Sequence, residues 1–153
     1  MLESGENVDA IYLDFLKAFD KVDIGILCHR MKAKGIHGML GVWLHDFLTN
    51  RKQQVIANNV ISEVSIVKSG VPQGTVLGPL LFIILIDSLS EVDIMSGMRM
   101  FADDTRVTKY IRTKEDMESL QTDLDKIYQW QETNNMQFNG AMLENIIYGQ
   151  DED

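Results

Sequence analysis

The chain has 153 residues, of which 45% are hydrophobic and 24% are charged, and its formal net charge at pH 7 is −9. This length allows one domain with a real core, and the composition is that of a globular protein. The acidic balance argues against a free-standing nucleic-acid binder, because phosphate backbones attract basic surfaces. The single cysteine, Cys28, excludes an internal disulfide framework. It fits an intracellular, reducing location and does not distinguish nucleus from cytoplasm.

The first third of the chain predicts a strand followed by two helices. The stretch VDAIYLDF, residues 8–15, is rich in β-branched and aromatic residues and predicts a strand. IGILCHRMKAKG has helical spacing and ends at Gly35, a plausible C-cap, and within it we expect Cys28 to be a buried, inert thiol. GMLGVWLHDFLTNR predicts a second helix, whose apolar face comprises Leu40, Trp43, Leu44, Phe47 and Leu48.

The middle of the chain predicts a hairpin, a loop and an apolar helix. QQVIANNVISEVSIVKSG reads as two strands around Asn58-Asn59, since asparagine tolerates positive φ. The loop SGVPQG then leads into a helix over about residues 75–90. Its apolar run is too short to span a bilayer and contains a proline, so we expect a buried helix and no membrane partner.

The last third predicts another hairpin, a long helix and two short strands. MRMFADDTRVTKY should turn at or near Asp103-Asp104. Thr113 and Asp116 resemble a capping box that opens a helix to about Asn134. The apolar stripe of this helix comprises Met117, Leu120, Leu124, Ile127 and Trp130. MQFN and NIIYG complete an order that indicates an α+β domain, with helices packed on an antiparallel sheet.

Three aspartates are candidates for a metal site. Asp14 ends a mostly apolar strand, and if that strand lies beside the 99–107 hairpin, its carboxylate meets those of Asp103 and Asp104. Such a cluster is stable only around positive charge, and carboxylate oxygens suit hard divalent cations. Two Mg²⁺ ions about 3.5–4 Å apart would support in-line phosphoryl transfer. For Asp14 taken alone, a helix N-cap or turn role is the simpler interpretation.

The loop SGVPQGTVLGPLLF, residues 69–82, is the second candidate. Its glycines and prolines leave backbone exposed before a helix and would let a ligand approach closely. A plain entry into a helix explains these residues equally well, although it does not account for Gln73 between Pro72 and Gly74.

Together, these stretches resemble a known family. YLDFLKAFDKVD, SGVPQGTVLGPLLF and FADDT are similar to three successive motifs of reverse transcriptases from non-LTR (LINE-type) retrotransposons, and NNMQFNG resembles the start of the next motif. The resemblance extends from about Val8 to Gly149. It implies a polymerase palm-like antiparallel sheet, with a hairpin carrying the ADD turn and helices packed on one face. It also implies a single partial palm domain over residues 1–153, without the upstream fingers strands or the thumb.

The resemblance assigns roles to individual residues. Asp14 matches the first metal-binding aspartate, Asp103 matches the second, and Asp104 matches their acidic neighbour. These residues would hold two Mg²⁺ ions, or Mn²⁺, for attack by a primer 3′-hydroxyl on a dNTP. The implied partners of the full-length enzyme are an RNA template and a DNA primer.

Four further residues would contact the nucleotide or the template. Phe15 matches the residue whose backbone lies near the incoming triphosphate. Phe19 matches the bulky residue under the sugar, although such a phenylalanine is more often simply part of the core. Gln73 and Gly74 match the pair that contacts the nascent base pair and template.

The sequence departs from the family pattern at one chemically important place. Ala141 and Met142 stand where the family has a lysine associated with protonating the leaving pyrophosphate, and residues 127–153 contain no Lys or Arg. Loss of a general acid costs about 10²–10⁴-fold in rate. The alternative to a polymerase palm is therefore an inactive relic that folds and at most binds divalent cations. In either case we expect weak or no nucleic-acid binding by this chain alone. A metal phosphatase would fit the paired aspartates but not the SGVPQG loop.

Overall fold

The structure, a computed structural model, describes residues 7–147 and the side chains of residues 8–139. Backbone contacts divide the described part of the chain into two compact units, residues 7–16 with 87–147 and residues 17–86. Within the described residues, no helix is long and apolar enough to cross a lipid bilayer.

The first unit is an antiparallel sheet with one long helix. Its elements are β1 (Asn7–Phe15), a 3-10 helix (Asp87–Leu89), β6 (Gly97–Phe101), β7 (Asp104–Tyr110), α5 (Lys114–Thr133) and β8 (Phe138–Ile147). The strand order is β6-β7-β1-β8. This architecture, together with the hairpin that carries the ADD turn, confirms the predicted α+β class.

Alternation along the strands gives this sheet two unlike faces. Ile11, Leu13 and Val107 are each at most 2% exposed and form part of the core. Tyr12 and Asp14 point to the other face and are half-buried and exposed, respectively. Because side chains alternate with a period of two, the same strand supplies the core and a solvent-facing surface.

The long helix α5 begins at the predicted capping box. Thr113 accepts a hydrogen bond from the backbone N–H of Asp116, whose side chain accepts in return from the N-cap backbone. The N–H groups of Arg112 and Thr113 lower the pKa of the Asp116 carboxyl. Leu120, Ile127 and Trp130 of the predicted stripe are buried, but Met117 is 57% exposed, so the buried stripe begins one turn later than predicted.

The C-terminal strand differs from the prediction. MQFN and NIIYG were expected as two short strands, whereas Phe138–Ile147 form one strand, β8, along β1. β8 is one continuous strand because β1 pairs with it along its length. No local sequence signal indicates this pairing. Residues 148–149 of the predicted second strand lie outside the described residues.

The second unit contains four helices and two short ladders. Its elements are α1 (Ala18–Lys21), α2 (Ile24–Ala33), α3 (Gly38–Leu48), β2 (Lys52–Gln53), β3 (Ile56–Ala57), β4 (Val60–Ile61), β5 (Ser65–Ile66) and α4 (Leu77–Ile86). Asp23 caps α2 by accepting from the N–H of Ile26, and Gly35 follows the end of that helix with a φ of 82°.

Two predictions for the helices of this unit need correction. On α3 only Leu44 and Leu48 of the five predicted face residues are fully buried, while Leu40 and Trp43 are 55% and 54% exposed. Helical spacing identifies a face but does not ensure that another element covers it. The apolar helix α4 is shorter than predicted, because the chain tightens into the 3-10 turn after Ile86.

The ribbon between α3 and α4 confirms the predicted turn. Asn58 and Asn59 have φ of 50° and 61° between β3 and β4, as a two-residue hairpin turn requires. β2 pairs with β5 outside this hairpin. Cys28, predicted to be buried, is half-buried, and desolvation raises the pKa of its thiol.

Candidate active site

The carboxylates of Asp14 and Asp104 lie opposite each other in the sheet. β1 and β7 are antiparallel, and their register pairs Asp14 directly with Asp104. Residues in such positions have Cβ atoms about 4.5–5.5 Å apart and point to the same face. Both side chains are exposed. The fold thus brings together two acidic residues that are ninety positions apart in sequence.

Asp103 lies in the turn between β6 and β7. Phe101 pairs with Asp104, which leaves Ala102 and Asp103 as the two turn residues. The turn therefore falls one residue before Asp103-Asp104. Ala102 has a φ of 53°, a left-handed conformation that costs a non-glycine residue about 1 kcal/mol or more. The strained turn places Asp103 next to the cross-strand pair of Asp14 and Asp104. We call these three residues the carboxylate row.

An irregularity in β8 brings a further polar side chain to this row. The register between β1 and β8 shifts between Leu13 and Phe15, so Asp14 lies where the ladder is interrupted. At this point the Asn139 amide donates a hydrogen bond to Asp14 Oδ2 at 3.4 Å. Bulges are frequent beside functional sites because they redirect a side chain.

The donor set suits a hard cation, although its members are spread. Within residues 8–139, no group of three or more His, Cys, Asp or Glu side chains is close enough to hold a metal. Asp14 and Asp104 nevertheless form a like-charged, exposed cross-strand pair, which is destabilising unless a cation lies between them. Carboxylate oxygens with neighbouring open solvent positions fit Mg²⁺, which keeps several of its waters.

Phe15, which follows Asp14, has its side chain in the core. Its ring stacks on Phe138 at a centroid distance of 4.5 Å and lies 6.1 Å from the Trp130 ring. The side chain is 3% exposed, so the only part of Phe15 that could meet a nucleotide is its backbone. The aromatic cluster also fixes the end of β1, where Asp14 lies.

In the second unit, the Gly70–Gly78 loop depends on close backbone approach. Gly70 has a φ of 84°, and a Cβ there would lie 2.8 Å from the backbone of Asp20 and Phe19. Backbone hydrogen bonds of 2.8 Å join Gly70 to Val22 and Val71 to Phe19. A Cβ on Gly78 would collide with the Pro72 carbonyl. Close packing therefore explains why Gly70 and Gly78 are glycines.

Gln73 and Gly74 lie at the exposed tip of this loop. The Gln73 amide donates to Asp20 Oδ1 at 2.9 Å, which orients the side chain. Gly74 has a φ of 73°, and nothing lies within 4 Å of the position where its Cβ would be. The conformation requires glycine, and the open space beside it leaves the backbone accessible to a ligand.

Phe19 packs against α4 within its own unit. Its ring is half-buried and stacks on Phe82 of α4 at 4.7 Å. Stacking holds the ring in one orientation while part of it stays accessible.

Sequence reasoning missed one organising side chain in each unit. In the second unit, the Arg51 guanidinium donates to the carbonyls of Leu48 at 2.9 Å, Ser69 at 3.1 Å and Gly70. Burial lowers the pKa of Arg51 accordingly. In the first unit, the Asn139 amide contacts Asp14, and no local sequence signal indicates that contact. Ala141 and Met142, the positions of the expected lysine, have side chains outside the described residues.

Comparison with known proteins identifies relatives among polymerases of mobile elements. Residues 3–141 match the family "Reverse transcriptase (RNA-dependent DNA polymerase)". The RNA-directed DNA polymerase from mobile element jockey of Drosophila funebris is 30% identical over 155 residues, which cover 96% of this chain and 17% of that protein. The probable RNA-directed DNA polymerase from transposon X-element of Drosophila melanogaster is 30% identical over 152 residues, covering 95% and 16%. The chain thus spans a small part of these relatives.

Solved structures share the fold. Apo telomerase from Candida Tropicalis, truncated from its C-terminal domain, aligns with a TM-score of 0.65 and 13% identity over 96% of this chain and 32% of that one. Telomerase from Candida Tropicalis in complex with a fragment of telomeric RNA aligns with a TM-score of 0.68 and 11% identity, covering 96% and 27%.

Proposed function

Because the chain belongs to the reverse transcriptase family, with relatives in non-LTR retrotransposons, we propose that it is the catalytic palm of an RNA-directed DNA polymerase. The reaction is transfer of a nucleotide from a dNTP to a primer 3′-hydroxyl on an RNA template, with pyrophosphate leaving. Asp14, Asp103 and Asp104 are the proposed metal ligands and catalytic carboxylates.

One observation carries this proposal: Asp14 and Asp104 form a direct cross-strand pair, next to the turn that contains Asp103. A protein without use for a cation there would gain stability by separating the charges. In a polymerase, the same pair has a purpose. It supplies negative charge to one spot on a rigid sheet, where ligands are held more accurately than on a loop.

The cation would supply most of the chemistry. When bound, two Mg²⁺ ions would activate the 3′-hydroxyl and neutralise charge on the phosphates. The residues of the chain would position the cations and the reacting groups. The carboxylates hold the cations, and the Asn139 amide restrains the Asp14 carboxylate by a hydrogen bond.

The loop and the aromatic residues would orient the nucleotide and the template. The exposed backbone at Gly74 and the Gln73 amide are proposed to contact the nascent base pair. Phe15 would offer its backbone to the triphosphate, and the part-exposed ring of Phe19 would pack under the sugar. Phosphoryl transfer depends chiefly on such positioning and on charge neutralisation.

A second candidate is a relic that folds and binds divalent cations without polymerising. Two observations favour it. Residues 127–153 contain no lysine or arginine that could serve as a general acid. The described residues also assemble no three-ligand cluster.

Primer extension separates these candidates. The wild-type chain would be incubated with Mg²⁺, dNTPs and a DNA primer annealed to an RNA template. Extension that disappears in Asp103→Ala and persists in Glu115→Gln, an exposed change on α5, supports the polymerase. Absence of extension by a folded wild-type chain supports the relic. Extension that persists in Asp103→Ala would contradict the proposed site.

A further inference from the structure

A tyrosine and two arginines form a second row beside the carboxylate row. The register pairs Tyr12 of β1 with Arg106 of β7, and Arg106 with Arg99 of β6. These residues lie two positions from Asp14, Asp104 and Phe101 along their strands, so they occupy the same exposed face. The two rows follow each other directly on the sheet.

Arg99 and Arg106 form a like-charged cross-strand pair, with the Asp104 carboxylate two residues from Arg106 along β7. Arg99 is exposed and Arg106 is half-buried. Neither side chain makes a hydrogen bond or ion pair with any side chain that the structure describes. Like charges placed directly opposite each other destabilise a sheet. An anion that lies between the two guanidiniums would remove this penalty.

The surroundings show what kind of anion fits. Tyr12, Arg99, Phe101, Asp104 and Arg106 line an open cavity of about 410 Å³. Phe101 is 82% exposed. Aromatic faces beside guanidiniums provide stacking surfaces for bases and charged contacts for phosphates, the combination that single strands of nucleic acid use.

We propose that Arg99 and Arg106 bind a backbone phosphate of a nucleic-acid strand that runs along this face toward the carboxylates of Asp14 and Asp104. The proposal rests on the function proposed above and names how the strand is held there. The guanidinium fork matches phosphate oxygens in a bidentate manner. Along β7, Arg106 lies roughly 7 Å from Asp104, since a strand rises about 3.3 Å per residue, so one strand reaches both rows.

The pair matters because the chain as a whole is acidic. With a net charge of −9, the chain offers little general attraction to nucleic acid. Two convergent cations beside the carboxylates would therefore supply a large share of whatever strand binding the chain has, and that binding should be weak and strongly salt-dependent.

The test is binding of a fluorescent single-stranded RNA, followed by anisotropy as salt is raised from about 50 mM. The full chain, without Mg²⁺, is compared with Arg99→Gln/Arg106→Gln. The control is Lys32→Gln/Lys114→Gln, which removes the same charge from two exposed sites. We expect the arginine variant to bind at least fivefold more weakly, with a log–log salt slope shallower by about 0.7 per lost phosphate contact, and the control to change less than twofold.

Three results would overturn the assignment: no RNA binding by the wild type at low salt, an arginine variant that matches the control, or inorganic triphosphate that competes as well as RNA at equal phosphate concentration. The last result would assign the pair to a free nucleotide. The assay requires no turnover, so intact binding with absent primer extension would fault the proposed chemistry and leave the phosphate site standing. A urea midpoint equal to that of wild type excludes misfolding of the variant, since relief of the like-charged pair should not destabilise it.

Discussion

Two carboxylate sites in the same unit have opposite surroundings. Asp123 on α5 is 1% exposed and accepts hydrogen bonds from Met95 N–H, Ser96 N–H and Ser96 Oγ, at 2.6 to 3.2 Å. The Lys109 ammonium lies 3.8 Å away. Asp14 and Asp104 are exposed and lie opposite each other on neighbouring strands. The Asp14 carboxylate accepts a hydrogen bond from the Asn139 amide at 3.4 Å.

The difference distinguishes a structural carboxylate from carboxylates that are candidates for function. Asp123 has its charge satisfied by the fold and ties the segment before β6 to α5. The Asp14–Asp104 pair has charge that the fold leaves unsatisfied, which is a cost unless something binds. A residue that destabilises its own protein is a better candidate for function than one that holds it together.

The largest expected effect is at Asp123. Asp123→Ala leaves the N–H groups of Met95 and Ser96 and the Lys109 ammonium without their acceptor, and we expect a loss of about 3 kcal/mol in the free energy of unfolding. Urea denaturation measures it. Asp104→Ala, matched in chemistry, should change that free energy by less than about 0.5 kcal/mol. Equal losses in the two variants would remove the distinction between the sites.

The pH dependence of stability should follow Asp123. Burial raises the pKa of this carboxyl. The hydrogen bonds from Ser96 and Met95, together with the charge of Lys109, lower the pKa by more than burial raises it, so it lies below its ordinary value. A depressed pKa stabilises the fold above the unfolded value of about 3.9, and this stability is lost as pH falls through the folded pKa.

We therefore expect the urea concentration at the unfolding midpoint of the wild type to decrease as the pH is lowered below about 4. In Asp123→Asn, the midpoint should depend less on pH. The Asp14→Asn/Asp104→Asn variant should retain the wild-type slope. If the midpoint of this second variant no longer depended on pH, the acid sensitivity would belong to Asp14 and Asp104, and the role given to Asp123 would be wrong.

A smaller effect of opposite sign is expected at the carboxylate pair. Asp14→Asn/Asp104→Asn removes a like-charged cross-strand contact, and without metal it should stabilise the chain by about 0.5 kcal/mol. Thermal unfolding in the presence of a chelator measures the change. The double substitution Glu115→Gln/Glu132→Gln removes two exposed charges from α5 and serves as the control. Destabilisation by the asparagine variant would mean that the pair is structural.

The smallest effect is expected at Thr105, next to Asp104 on the buried face. Its hydroxyl is buried and has no hydrogen-bond partner among the described residues. Thr105→Val replaces an unsatisfied polar group by a methyl of similar shape, so stability should stay unchanged or rise by less than about 0.5 kcal/mol. A clear loss in a urea titration would show that the hydroxyl has a partner, such as an ordered water.

Local signals predicted much of the fold. The capping box of Thr113 and Asp116, the Asn58-Asn59 turn and the β1 strand depend on neighbouring residues, and all three are confirmed. Features that depend on distant contacts were missed. Asp123 reaches back to residues 95 and 96, and Arg51 spans to Ser69 and Gly70, while neither position has a local pattern that indicates a partner.

The candidate site was predicted to a similar degree. The acidic residues were identifiable from their motifs, and the condition that β1 lies beside the 99–107 hairpin is fulfilled by the register. The bulge that brings Asn139 to Asp14, and the row of Arg99 and Arg106, follow from strand pairing alone. Register is a tertiary property, since a shift by one residue would turn every side chain to the other face.

Calorimetric titration with Mn²⁺ tests the central claim most directly, because it asks whether the unsatisfied charge of Asp14 and Asp104 serves to bind a cation. The account predicts that the wild-type chain and Glu115→Gln/Glu132→Gln bind Mn²⁺ with equal affinity, and that Asp14→Asn/Asp104→Asn binds at least about tenfold more weakly. Equal affinity in all three chains would contradict it.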